Sequence, residues 1–128
     1  MNSDKYIKLA KVTEIRDYGE PLKRLNEREM RLLHGAMGLA TEAGEFLSPI
    51  KAHIYYGRGL DETNLQEELG DIMWYMAVIC DCLGADFEEI WERNIKKLQA
   101  RYGDKYSDFY ANNRNLAKEY RVLKSKKK

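Results

Sequence analysis

Apolar positions recur along most of this chain at spacings of three and four, the period of an amphipathic helix. β-branched residues are scattered and form no convincing alternating run. A first helix is predicted over Ser3–Arg16, ending before Asp17-Tyr18-Gly19-Glu20-Pro21. The second carries a capping signature at Asn26 and Glu29, then Met30, Leu33, Met37, Ala40, Gly44 and Leu47 on one stripe. It is predicted over Asn26–Leu47, with Pro49 as its end or a kink. Lys51–Gly59 reads as a short helical turn followed by a loop at Tyr56-Gly57-Arg58-Gly59. The third helix, Asn64–Leu83, has a capping box at Asn64 and Glu67, a stripe from Leu65 through Leu69, Ile72, Met76 and Ile79 to Leu83, and a left-handed stop at Gly84. Asp86 and Glu89 open the fourth, Asp86–Tyr102, whose stripe includes Phe87, Ile90, Trp91, Ile95 and Leu98. Asn112–Leu123 reads as a last, weaker helix. The expected fold is all-α: four principal helices in a compact bundle, with a weaker C-terminal helix and a basic tail. The expected division is a domain over 1–117 and a tail over 118–128.

Composition narrows the setting. At 128 residues the chain has the size of one domain with a modest core, so a partner subunit would help it bury apolar surface. Its 34% charged residues leave no run near the ~20 apolar residues needed to cross a bilayer, and the N-terminus lacks a secretory hydrophobic region. Cys80 and Cys82 stand two apart without histidine company, which suits free thiols on a helix better than a disulfide frame or zinc. Together these features predict a cytoplasmic protein. Net charge is +1, but Lys118, Arg121, Lys124, Lys126, Lys127 and Lys128 against Glu119 put +5 in the tail and leave −4 in the body. The tail is expected to solubilise, because the body offers no matching basic surface for nucleic acid.

The chemistry concentrates in two strings. Glu42-Ala43-Gly44-Glu45 lies on the second predicted helix and Glu68-Leu69-Gly70-Asp71 on the third. Acids three residues apart share a helical face one turn apart, so two facing helices could gather four carboxylates around one point. Crowded acids repel and resist burial. A hard divalent cation relieves that conflict, and magnesium prefers oxygen ligands while keeping waters and positions for phosphates. Gly44 and Gly70 lower helix propensity inside both pairs, which suggests a close approach of helix or ligand. Either pair alone is commonplace on a solvated helix; the matched repetition on consecutive helices is what favours a metal. On the fourth helix Asn94, Lys97 and Arg101 share a face and are candidates for phosphate contact, or for ordinary surface residues. His34, upstream of the acids, could contact base or phosphate and could equally be a surface histidine; His53 is a weaker candidate. Tyr75, one turn past Asp71, is a lining candidate, whereas Trp74 is expected to pack against another helix or subunit.

Assembled in order, EAGE at Glu42–Glu45, ELGD at Glu68–Asp71 and the later string NIKKLQARY, the sequence resembles the MazG-like nucleotide pyrophosphohydrolases of the all-α NTP-pyrophosphatase superfamily. The likeness runs over roughly Met30–Tyr102. It implies that Glu42, Glu45, Glu68 and Asp71 ligate magnesium and serve the reaction. It also implies that Asn94, Lys97 and Arg101 orient nucleotide or phosphates, and that the protein is a homodimer or a dimer-based tetramer. The implied activity is magnesium-dependent hydrolysis of nucleoside triphosphates, deoxynucleoside triphosphates above all, to monophosphate and pyrophosphate. Glu45 is the favoured base. Tyr55, Tyr56 or Tyr75 could provide a tolerant stacking surface for the base. Two other readings remain open: a catalytically inactive metal-binding helical regulator, and a nucleic-acid-binding module centred on Arg114–Lys128.

Overall fold

The structure, a computed structural model, describes residues 1–124. The tail residues Lys126, Lys127 and Lys128 lie outside the described residues, as does any role for them. Within the described residues every regular element is a helix: α1 (Ser3–Thr13), α2 (Gly19–Leu22), α3 (Glu27–Tyr56), α4 (Glu62–Leu83), α5 (Phe87–Tyr102), α6 (Asp108–Asn112) and α7 (Leu116–Lys124). No helix among the described residues is long and apolar enough to cross a membrane.

The all-α expectation holds, but several boundaries move. α3 does not stop near Leu47; it runs for 30 residues through Pro49 to Tyr56, so the helical turn expected after Lys51 is its continuation, and the expected loop follows from Gly57. Proline has no N–H, which leaves the Glu45 carbonyl without its i+4 amide donor. The helix survives because its ends are well satisfied. The Asn26 side chain accepts from the amides of Arg28 and Glu29, and Gly57 closes the other end in the left-handed conformation (φ 65°). α4 starts earlier than predicted, because Asp61 is its cap and accepts from the Asn64 amide at 3.0 Å. That frees the Asn64 side chain for another partner. Gly84 terminates α4 as expected, at φ 62°. α1 ends at Thr13 instead of Arg16, and the short α2 and α6 were not foreseen. The boundary expected between 117 and 118 falls inside α7.

The compact four-helix core is not found within one chain. Among the described residues α3 packs along α4, while α5 packs on α7 and α6; α5 has no extensive contact with the α3–α4 pair. The first unit is thus an antiparallel helical hairpin, and the second is a smaller cluster. The hairpin closes tightly where α3 has no side chains. Gly35 and Gly38 are buried, with Ile79 over the first and the Tyr75 ring over the second. A Cβ on Gly38 would lie 2.2 Å from the Tyr75 Cε1. Gly44 and Gly70, expected to mark a close approach, have nothing within 4 Å of such a Cβ. For a helix approach that expectation is corrected: the close contact between the helices sits about two turns earlier on α3, at Gly35 and Gly38.

Little apolar surface is covered. Cys80 is the one buried apolar residue among those described, while Met37 and Leu47 on α3 are 60% exposed and Trp74 on α4 is 55% exposed. The predicted stripes are real helical faces that one chain leaves open to solvent.

Candidate metal centre and its surroundings

Three of the four acids meet. Carboxylate oxygens of Glu42 on α3 and of Glu68 and Asp71 on α4 lie within 4.8 Å of one another. Glu68 is buried, Glu42 half-buried and Asp71 exposed, so the cluster has a dry inner wall and an open outer side. Both helices supply their acids from the face next to the glycine contact. Asp71 is one turn from Tyr75 and Glu42 one turn from Gly38, so the tight crossing sets the separation of the carboxylates.

The electrostatics mark the cluster as short of positive charge. The Glu42 carboxyl is pushed above its ordinary range, first by partial burial and then by the negative charges of Glu45, Asp71 and Glu68. A hydrogen bond to Glu68, which only the protonated acid can donate, adds to the shift. Octahedral magnesium holds oxygens at about 2.0–2.1 Å, which places opposite ligands about 4.2 Å apart. The three carboxylates, within 4.8 Å of one another, draw inward to share one such ion. The all-oxygen donor set, the open side and the raised Glu42 all fit a hard divalent cation, and the cluster is capable of coordinating one.

Glu45 stands outside the trio. It lines an adjoining solvent-open cavity of about 340 Å³ together with Ser48, Pro49, Arg58, Asn64 and the shared Glu68. Asn64 was read from the sequence as a helix cap. Released from that task by Asp61, its Nδ2 donates to Glu68 Oε1 at 2.8 Å and fixes the orientation of that carboxylate.

The remaining candidates are placed as follows. The Tyr75 ring lies on Gly38 and meets the rings of Trp74 (4.9 Å) and His34 (5.7 Å) edge to face, with His34 itself exposed. On α5, Lys97 Nζ donates to Asn94 Oδ1 at 2.6 Å. Arg101 is engaged elsewhere: its Nε and Nη2 donate to the two carboxylate oxygens of Glu119 on α7 at 3.0 and 2.6 Å. Arg114 donates to the same carboxylate at 2.7 and 3.3 Å. Glu119 is only 3% exposed, and its two arginines hold it down at about 2 against the opposing effect of burial. Within one chain the α5 trio is therefore not brought to the carboxylates.

Sequence reasoning passed over Asn64, Arg58 and Glu119. The last had a readable signal, since one acid in a run of basic residues is a natural ion-pair acceptor.

Comparison with known proteins agrees with this centre. A family model described as "MazG nucleotide pyrophosphohydrolase domain" matches residues 34–105, which contain both acidic strings and all of α4 and α5. The chain is 36% identical over 74 residues to the "Gene 37 protein" of Mycobacterium phage L5, a match covering 55% of this chain and 65% of that protein. The chain thus spans just under two thirds of that relative. No solved structure matches.

Proposed function

The chain belongs to the MazG nucleotide pyrophosphohydrolase domain family, and on that premise we propose that it hydrolyses nucleoside triphosphates, deoxynucleoside triphosphates above all, to monophosphate and pyrophosphate with magnesium. The observation that carries the reading is the convergence of Glu42, Glu68 and Asp71 from two helices onto one point. These three would hold the ion. Bound there, magnesium supplies charge neutralisation at the phosphate oxygens and makes water more acidic.

The chain's own groups account for the rest. Water attacks the α-phosphorus, the new O–P bond forms as the α–β anhydride bond breaks, and the bridging oxygen departs with pyrophosphate. One proton of the water passes to a carboxylate. Glu45 is our choice of base, because it stands beside the trio without belonging to it, and its charge is the largest neighbouring charge acting on Glu42. Asn64 keeps Glu68 aimed through the reaction. Asn94 and Lys97 are assigned to phosphate oxygens, with Arg101 joining if it exchanges Glu119 for substrate. His34 and Tyr75 are assigned to the rim of the nucleotide site, and the exposed Tyr55 and Tyr56 offer base-tolerant stacking.

The open faces of α3 and α4 support a homodimer, or a tetramer built from it, in which a second hairpin covers Met37, Leu47 and Trp74. Such an assembly, with two hairpins face to face, would supply the four long helices of a common core. The free thiols of Cys80 and Cys82 suit a cytoplasmic setting.

The test is a hydrolysis panel of ribo- and deoxynucleotides, modified bases and alarmones in ¹⁸O-water with every product identified. Label in the monophosphate and activity across several bases are expected. Label in pyrophosphate would overturn the attack at α-phosphorus, and no turnover of any nucleotide would overturn the activity. A preference for one base above about 100-fold would reject the tolerant surface.

A further inference from the structure

The link between α3 and α4 holds a cation next to the metal centre. Arg58 is the cationic side chain lining the cavity that Glu45, Asn64 and Glu68 also line. Its backbone is fixed from both sides. The N–H donates to the Ala52 carbonyl at 3.3 Å, as part of the stop at Gly57. The Arg58 carbonyl is 2.7 Å from His53 Nδ1. A carbonyl can only accept, so Nδ1 carries the proton and the imidazole acts as a strut one helical turn back on α3. Among the described residues no carboxylate lies within ion-pairing distance of the Arg58 guanidinium, in contrast to Arg31, Arg93, Arg101 and Arg114.

An anchored arginine that lines an acidic cavity but pairs with no acid is placed for an arriving anion. A triphosphate brings more negative charge than one divalent ion cancels. The basic groups of α5 do not help within the same chain, since α5 has no extensive contact with the hairpin and Arg101 is held by Glu119. Arg58 needs no rearrangement of helices to act. Its planar fork matches two phosphate oxygens at once, which a lysine cannot do.

We propose that Arg58 grips the β- and γ-phosphates, the portion that leaves as pyrophosphate, and that His53 is a positioning residue that holds Arg58 in place. This rests on the nucleotide hydrolysis proposed above. Negative charge grows on the departing pyrophosphate as the α–β bond breaks, so the grip strengthens towards the transition state.

The experiment compares wild type, Arg58→Ala, Arg58→Lys, His53→Ala and His53→Asn, each checked for helicity by circular dichroism. Arg58→Ala is expected to lower kcat/KM about 100-fold. Inhibition by inorganic pyrophosphate should weaken at least about 10-fold, while inhibition by nucleoside monophosphate stays unchanged. Mn²⁺ affinity of the nucleotide-free protein should stay within about 3-fold, because the carboxylates remain. Arg58→Lys recovers part of the loss. His53→Ala raises KM more than it lowers kcat, and His53→Asn, which keeps a donor at the same reach, restores it. Pyrophosphate inhibition unchanged in Arg58→Ala, with wild type active, overturns the Arg58 assignment alone. An Arg58→Ala loss matched by an equal loss of Mn²⁺ affinity also overturns it, because the arginine would then serve the metal site. A wild type that neither turns over nucleotides nor binds pyrophosphate overturns both this assignment and the activity.

Discussion

Replacing Gly38 with alanine tests whether the glycine contact governs the hairpin. On an isolated helix the change is favourable by roughly 1 kcal/mol, because glycine is the poorer helix former. Here the new methyl would lie 2.2 Å from the Tyr75 Cε1 and 2.3 Å from Cδ1 and Cζ, whereas real contacts stay above 3.0 Å. The ring must move by close to 1 Å, and the rings of His34 and Trp74 stand edge to face against it. Overpacking of this kind costs about 1–3 kcal/mol, and the restraint on the ring puts Gly38 near the upper end. Gly38→Ala is therefore expected to lose about 2 kcal/mol net, or about 6–10 °C in Tm at fixed protein concentration. Gly35→Ala meets the flexible Ile79 side chain at 2.6 Å and should lose less. Gly44→Ala, with open space around it, should gain about 0.5–1 kcal/mol in the metal-free protein. Urea denaturation of the three variants, with a double-mutant cycle adding Tyr75→Leu, measures the coupling. A Gly38→Ala protein as stable as Gly44→Ala, or no coupling to Tyr75, would refute the account.

Three further outcomes are expected. Glu68→Gln and Asp71→Asn should each cut turnover at least about 100-fold at limiting magnesium with helicity intact; near-normal rates in both would mean the metal site is misplaced. Glu42 has a raised pKa in the fold, so its contribution is fully present below about 4.3, its unfolded value, and is lost as pH rises through the folded value. Glu42→Gln should thus stabilise the metal-free protein at pH 7 but not at pH 4, and equal melting curves at pH 7 would contradict the crowding of the acids. Glu119 is the reverse case, depressed to about 2, so its stabilisation is present above the unfolded value near 4.3 and disappears as pH falls through about 2. Glu119→Gln should then expose α7 to limited proteolysis at pH 7, and unchanged cleavage would show that the two arginines do not depend on it.

Much of the hairpin was readable because its signals are local. The stripes of α3, α4 and α5, the Asn26 cap and the Gly84 stop each depend on residues within a turn or two. Spacing put each acidic pair on one helical face, and the expectation that two facing helices gather all four is met by Glu42, Glu68 and Asp71 but not by Glu45. What failed were competitions between two valid rules. Pro49 argues for a helix end, yet the helix has better ends at Asn26 and Gly57 and keeps going. Asp61 and Asn64 are both good caps three residues apart; Asp61 takes the position, and Asn64 becomes a support for Glu68. The glycines illustrate a different limit. Four of them lie on α3 and α4 with similar local sequence, but only the register of the two helices decides that Gly35 and Gly38 face α4 while Gly44 and Gly70 face open space. An amphipathic stripe, likewise, states that a face wants covering without naming the cover. For that reason α5 read as part of one bundle, when in a single chain it joins α6 and α7.

The hairpin also sets the order in which the molecule can be made. Glu42, Glu68 and Asp71 come from one contiguous stretch that closes on itself by residue 83, and the packing of α5, α6 and α7 lies wholly downstream. During synthesis α3 and α4 can begin to pair as soon as Leu83 has emerged, without waiting for any later residue of the same chain. Their acids then meet before the rest of the polypeptide exists. A cation captured at that moment would favour the closed pair over the open chain, so the ion could act on the nascent protein before any substrate arrives.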